Sequence, residues 1–98
     1  MNMNKEMQDG VLTVYLEGKL DTVTTPQAEK ELEEDVDAAS QLVLDMKTLK
    51  YLSSAGLRMI LKLHKKMNEK DGMTIKNVNE SIMEIFDMTG LTSILKIV

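Results

Sequence analysis

Two neighbouring stretches decide the fold of this chain: LVLD at residues 42–45 and YLSSAGLR at residues 51–58. The first is a short apolar run, typical of a strand that is buried on both faces. After it the apolar spacing becomes helical, at Leu57, Ile60, Leu61, His64 and Met67. The segment predicts a strand, a short connection and a helix from about Ser54 to Asp71, ended by Gly72.

The start of this helix carries two serines. Ser53 and Ser54 both suit a helix N-cap, and Ala55 and Gly56 keep the first turn small. Free backbone amides at a helix start favour negative charge, so a phosphate on Ser54 is compatible with this position. The simpler interpretation is that Ser54 is only a helix cap.

The residues before this segment predict two strands and a helix. Residues 3–8 and 11–16 form strands around a turn at Asp9 and Gly10, and the second strand is expected to be central. Gly18 indicates a bend or bulge. The helix begins with Thr25 as N-cap and Pro26 in the first helical position, and its apolar face holds Ala28, Leu32, Val36 and Ala39.

The other positions of this first helix are strongly acidic, with Glu29, Glu31, Glu33, Glu34, Asp35 and Asp37. They form either an acidic docking face or, more simply, a solvated one. Later in the chain, residues 46–52 are too short for another helix and residues 73–77 form a strand. Asn79 caps a third helix that ends at Gly90, and residues 91–98 form a last short strand or a packed tail. This order predicts an α/β fold: a mixed sheet of four to five strands with about three helices.

Composition limits the possible functions. At 98 residues, with 43% hydrophobic and 29% charged residues, the sequence predicts one soluble domain over residues 1–98. A net charge of −4 and only three aromatic residues argue against nucleic-acid binding. Without a spanning apolar run, a secretory signal or any cysteine, we expect a cytoplasmic protein with no membrane segment. A monomer is the default expectation.

No catalytic constellation is apparent in the sequence. Ser54 lacks the glycine two residues before it that a G-x-S-x-G nucleophile elbow requires. His64 lies ten residues further along the same helix, about 15 Å of rise, which is too far for proton transfer. Adjacent acids diverge on the helix, and no metal-binding or phosphate-binding loop is present. We therefore expect no enzymatic activity, no cofactor and no metal.

The motifs together resemble the bacterial anti-sigma factor antagonists, which are single STAS domains. The resemblance rests on GKLD at residues 18–21, the acidic first helix, LVLD at residues 42–45 and YLSSAGLR at residues 51–58. It covers nearly the whole chain and implies a STAS-like fold. In that family, the anti-sigma factor is an ATP-dependent serine kinase of the GHKL type. It phosphorylates the serine before the small-residue–glycine step, which here is Ser54.

The resemblance also implies the other site residues and the mechanism. Ser53 stands where many members have aspartate, and Ala55 where many have serine or threonine. The implied partner-binding surface is formed by Asp21, Ser53, Ser54, Gly56 and Arg58. Unphosphorylated antagonist binds the kinase and releases the sigma factor, phosphate on Ser54 abolishes binding, and a PP2C-type phosphatase resets the switch.

Three alternatives remain at this point. The first is a STAS adaptor subunit of a lipid or anion transport system, which needs no phosphorylation. The chain can instead regulate a target other than a sigma factor, such as secretion or a cyclase, through the same kinase–phosphatase switch. A small enzyme with a serine nucleophile is the third alternative.

Overall fold

The computed structural model describes residues 1–98 and confirms the mixed α/β fold. Its five strands are β1 (Asn2–Gln8), β2 (Val11–Leu20), β3 (Gln41–Leu52), β4 (Met73–Lys76) and β5 (Lys96–Ile97). Its three helices are α1 (Thr24–Ala38), α2 (Ser54–Asn68) and α3 (Glu80–Met88). A single 3₁₀ turn at Leu91–Ser93 precedes β5, so the last residues contain the short strand that the sequence allowed.

The strands follow one another across the sheet in chain order, from β1 to β5. β1 is antiparallel to β2, and the other neighbouring pairs are parallel. Each parallel connection therefore steps in the same direction, which places all the crossover helices on one face of the sheet. Burial agrees with this: Leu42 and Leu44 are fully buried, whereas Val43 between them is only half-buried. The prediction that this run is buried on both faces is therefore wrong.

Residues with positive φ form the turn between β1 and β2 and the bend in β2. Asp9 and Gly10 both have positive φ, 54° and 81°, as the tight turn between β1 and β2 requires. Gly18 has φ 92° and lies where the pairing of β2 with β3 shifts register. The predicted bend at Gly18 is confirmed.

The start of α1 differs from the prediction. The helix begins at Thr24 with Val23 in the capping position, so Thr25 is not the N-cap and Pro26 is the third helical residue. Thr25 instead turns into the core and is only 3% exposed. The reason is that Asp21 and Thr24 supply the hydrogen bonds at this end, one turn earlier than expected.

The boundaries of β3 and α2 also differ. β3 continues to Leu52, because its second half pairs with the end of β2 up to the partners Leu20 and Leu52. α2 ends at Asn68 and not at Asp71. Gly72, at φ 98°, then donates its N–H to the carbonyl oxygen of Met67 at 3.0 Å, which is the predicted glycine stop.

Basic side chains neutralise part of the acidic face of α1. Ion pairs join Asp35 to Lys5, Glu29 to Lys62 and Asp37 to Lys66. Lys70 closes the end of α1 by donating to the carbonyl oxygens of Val36, Asp37 and Ala39 at 2.8–3.0 Å. The third helix begins as predicted, with the Asn79 side chain accepting from the Ile82 N–H at 3.0 Å. None of the helices has the length and apolar character needed to cross a membrane.

Candidate functional site

The residues implied by the motifs meet at one end of the sheet. β2 and β3 are parallel, so their carboxyl ends lie side by side, and α1 and α2 both begin there. We call this region the carboxyl edge and define it as residues 18–24 and 51–58. It contains all five predicted site residues: Asp21, Ser53, Ser54, Gly56 and Arg58.

Hydrogen bonds to one carbonyl group tie the two halves of the carboxyl edge together. The carbonyl oxygen of Leu20 accepts from the Ser53 N–H at 2.9 Å and from the Ser53 hydroxyl at 3.1 Å. Leu20 is also the register partner of Leu52. Asp21 and Ser53 therefore leave neighbouring strands at the same level.

The two serines at the start of α2 have different surroundings. Ser53 is the N-cap residue, with φ −87° and ψ 174°, and its Oγ accepts from the Gly56 N–H at 3.3 Å. Ser54 is the first residue of the helix, is exposed, and makes none of the capping bonds. The interpretation that Ser54 is a helix cap is therefore wrong, because Ser53 fills that role. The fold leaves the Ser54 hydroxyl open to solvent.

Asp21 organises the loop from β2 to α1. Its Oδ1 accepts from the backbone N–H groups of Val23 and Thr24, both at 2.9 Å. The Thr24 hydroxyl accepts from the Asp21 N–H at 2.9 Å and donates to the carbonyl oxygen of Lys19 at 2.8 Å. The N–H of Thr24, followed by that of Val23, stabilises the carboxylate and holds the pKa of Asp21 below its usual value. Asp21 is thus ionised and fixed beside the start of α2.

Gly56 allows α2 to approach the strand ends closely. A Cβ atom added there would lie 2.6 Å from Cδ1 of Leu52 and 3.0 Å from the carbonyl oxygen of Leu20. Both distances are shorter than an ordinary van der Waals contact, so a larger residue requires a shift of the Leu52 side chain and of the backbone at Leu20 or Gly56. Gly56 is buried and acts through packing, whereas Arg58 two residues later is exposed.

Two exposed hydrophobic residues of the carboxyl edge, Val23 and Tyr51, were not among the predicted site residues. Val23 is 76% exposed in the loop before α1, and Tyr51 is 49% exposed near the end of β3. Tyr51 is the register partner of Lys19. Nothing in the local spacing marks Val23, but Tyr51 is an aromatic residue at the start of the YLSSAGLR motif, and aromatic residues are enriched at interfaces.

The single histidine of the chain lies further along α2 than the two serines. His64 lies on α2 with its Nε2 3.2 Å from the side-chain amide of Asn68, and its Nδ1 is buried without a partner. It sits ten residues beyond Ser54 on the same helix, as expected from the sequence. No group of three or more histidine, aspartate or glutamate side chains is placed to hold a metal ion.

Comparison with known proteins gives the family. The STAS domain family matches residues 2–98. The anti-sigma F factor antagonist of Paenibacillus polymyxa is 35% identical, over 99% of this chain and 87% of its own length. The crystal structure of an anti-sigma factor antagonist from Mycobacterium paratuberculosis has a TM-score of 0.88 at 26% identity, covering 98% of this chain and 83% of that chain.

A further solved structure shares the fold at lower identity. The Bacillus cell fate determinant SpoIIAA in its phosphorylated form has a TM-score of 0.77 at 17% identity, over 99% of this chain and 91% of that chain. The TM-score shows that SpoIIAA shares the fold formed by the five strands and three helices described above. From the full-length family match, the similar sequence and the shared fold, we conclude that this chain belongs to the STAS domain family.

Proposed function

We propose that this chain is an anti-sigma factor antagonist that is switched by phosphorylation of Ser54. In its unphosphorylated form it binds an anti-sigma serine kinase of the GHKL type through the carboxyl edge, and the sigma factor is released. The main observation behind the proposal is that the two serines have different roles at the start of α2. Ser53 caps α2, so Ser54 is exposed and available to a kinase without loss of the helix start.

The comparisons support the partner class. The Paenibacillus relative is named an anti-sigma F factor antagonist, and the similar Mycobacterium structure is that of an anti-sigma factor antagonist. SpoIIAA has been solved in a phosphorylated form, which indicates that this fold can carry a phosphate. On the basis of these similar proteins, we assign an anti-sigma factor as the partner that binds the carboxyl edge.

Phosphorylation acts as an electrostatic switch in this proposal. The kinase transfers the γ-phosphoryl group of ATP to the Ser54 Oγ, which loses its proton, and ADP is released. The phosphate adds about −1.5 to −2 charges next to the ionised Asp21. When the chain docks on the kinase, the phosphate loses its hydration and is repelled by the nearby Asp21 carboxylate. A penalty of about 3 kcal/mol weakens binding about 100-fold, enough to dissociate a micromolar complex.

The chain is therefore a substrate and a ligand, and not a catalyst. A PP2C-type phosphatase hydrolyses the phosphoserine with water and restores the free hydroxyl. The helix start remains intact in both states, because the capping hydrogen bonds belong to Ser53. The switch thus requires a change of surface charge and no change of fold.

The proposal is tested by affinity capture with Ser54→Ala and Ser54→Asp proteins from lysate of the source organism, followed by mass spectrometry. We expect Ser54→Ala to retain a GHKL-type kinase and Ser54→Asp to lose it. Thr92→Asp is a matched control, because Thr92 is also exposed but lies in the 3₁₀ turn Leu91–Ser93, outside the carboxyl edge. Capture of the same transporter by both Ser54 variants contradicts the proposal and favours the adaptor function. Equal loss of the kinase with Thr92→Asp contradicts the specific role of Ser54.

A further inference from the structure

We propose that Arg58 is the intramolecular partner of the phosphate on Ser54, so that phosphorylation withdraws Arg58 from the bound kinase. This inference rests on the proposed function, since it assumes that Ser54 is phosphorylated. It assigns Arg58 a specific regulatory role: a cationic contact in one state and a phosphate ligand in the other.

The spacing on α2 brings the two residues together. Ser54 is the first helical residue and Arg58 the fifth, and both are exposed. Residues four apart lie on the same face of a helix, with Cβ atoms about 5–6 Å from each other. The acidic member stands N-terminal to the basic one, which is the more favourable orientation for such a pair. A phosphate on Ser54 is therefore within reach of the Arg58 guanidinium.

Arg58 is available because it has no ion pair of its own. Two of the other basic residues on α2 are already engaged in ion pairs: Lys62 with Glu29, and Lys66 with Asp37. Lys65 is also without an ion pair, but it lies eleven residues from Ser54, about 16 Å along the helix axis. Arg58 is thus the basic residue without an ion pair on α2 that lies nearest to Ser54 along the helix.

Backbone amides complete the surroundings of the phosphate. Ser53 accepts from the N–H groups of Gly56 and Leu57, through its hydroxyl and its carbonyl oxygen respectively. The N–H groups of Ser54 and Ala55 have no backbone acceptor. A phosphate held by Arg58 on one side can accept from these amides on the other. The planar guanidinium suits this geometry, since it can donate two parallel hydrogen bonds to phosphate oxygens.

The pair alters what the carboxyl edge offers to a partner. Before phosphorylation, Arg58 is free to bind a carboxylate of the docked protein. After phosphorylation its donors are occupied and the same face becomes anionic. We therefore expect Arg58→Gln to weaken binding of the unphosphorylated chain about 10-fold. The same variant should weaken binding of the phosphorylated chain less, which reduces the ratio between the two states.

The pair is tested directly on the full chain with phosphoserine incorporated genetically at position 54. A ³¹P NMR titration measures the second pKa of the phosphate, which lies near 6 in the absence of a partner. Pairing with Arg58 stabilises the dianion, so the wild-type value should be lower than that of Arg58→Gln by about 0.5 pH units. The difference should shrink in 1 M salt, where exposed charges are screened.

Lys19→Gln and Lys65→Gln serve as matched controls. Lys19 lies on the carboxyl edge in register with Tyr51, and Lys65 lies on the same helix as Arg58. Both should leave the phosphate titration close to that of wild type. An unchanged titration in Arg58→Gln, or an equal shift in Lys19→Gln, overturns the inference. Neither result depends on a kinase, so failure of the pair and failure of the proposed function can be told apart.

Discussion

The replacement Gly56→Ala probes the packing on which the carboxyl edge depends. The added methyl group would lie 2.6 Å from Leu52 Cδ1 and 3.0 Å from the Leu20 carbonyl oxygen. That oxygen also accepts both hydrogen bonds from Ser53. To relieve these contacts, the Leu52 side chain must shift and the start of α2 must move slightly from the Leu20 carbonyl oxygen, which lengthens the hydrogen bonds of Ser53.

The expected magnitude follows from opposing effects. Alanine is favoured over glycine in a helix by about 1 kcal/mol. Overpacking a buried site costs about 1–3 kcal/mol. Weakening the two Ser53 hydrogen bonds costs up to about 1 kcal/mol each. The net destabilisation should be about 1–2 kcal/mol, which lowers the Tm of a chain of this size by about 5–15 °C.

Urea and thermal unfolding followed by circular dichroism measure this effect. Lys65→Ala is the matched control, since Lys65 is exposed on the same helix and has no ion pair. It should stay within about 0.5 kcal/mol of wild type. A Gly56→Ala protein as stable as wild type, or more stable, would refute the close approach of α2 to β2.

Three further predictions concern the ends of the helices and acid stability. Ser53→Ala should lose about 1 kcal/mol through loss of the N-cap, whereas Ser54→Ala should change stability by less than about 0.5 kcal/mol; urea unfolding compares the two. Lys70→Met should cost about 1 kcal/mol, because three carbonyl oxygens at the end of α1 lose their donor, and the loss should appear as a lower Tm. The lowered pKa of Asp21 means that its stabilising effect is complete above the unfolded-state pKa of about 4 and is lost as pH falls through the folded-state pKa. The urea midpoint of Asp21→Asn should therefore fall less steeply below pH 4 than that of wild type, and parallel curves would contradict this.

Much of the fold follows from local pattern, and the differences have tertiary causes. Strand and helix order, the turn at Asp9 and the cap at Asn79 depend on neighbouring residues alone, and the structure agrees with them. The N-cap of α1 cannot be identified from neighbouring residues alone, because Asp21, Thr24 and Thr25 are all suitable capping residues. The choice depends on where β2 ends, since the Thr24 hydroxyl donates to the Lys19 carbonyl oxygen.

The length of β3 was missed for a similar reason. Residues 46–52 contain lysines and no regular alternation, so they do not resemble a strand. They are extended because the end of β2 pairs with them after a register shift. Local pattern also could not predict that β3 is buried on one face only, since this depends on which side of the sheet the crossover helices cover.

The candidate site shows the same limit. The sequence places both serines at a helix start, but the choice between Ser53 and Ser54 as cap depends on the Leu20 carbonyl oxygen, a contact over 33 positions. Because Ser53 is the cap, Ser54 stays exposed. Roles in partner binding for Asp21, Gly56 and Arg58 stay predictions, although the fold places all three residues at the carboxyl edge.

The most direct test of the account is the affinity of the purified anti-sigma kinase for the chain in its two states. Isothermal titration calorimetry should compare the unphosphorylated protein with protein that carries phosphoserine only at position 54. We expect the Kd to rise about 100-fold on phosphorylation, with no change in the far-UV circular dichroism spectrum. Equal Kd values in the two states would contradict the proposed switch.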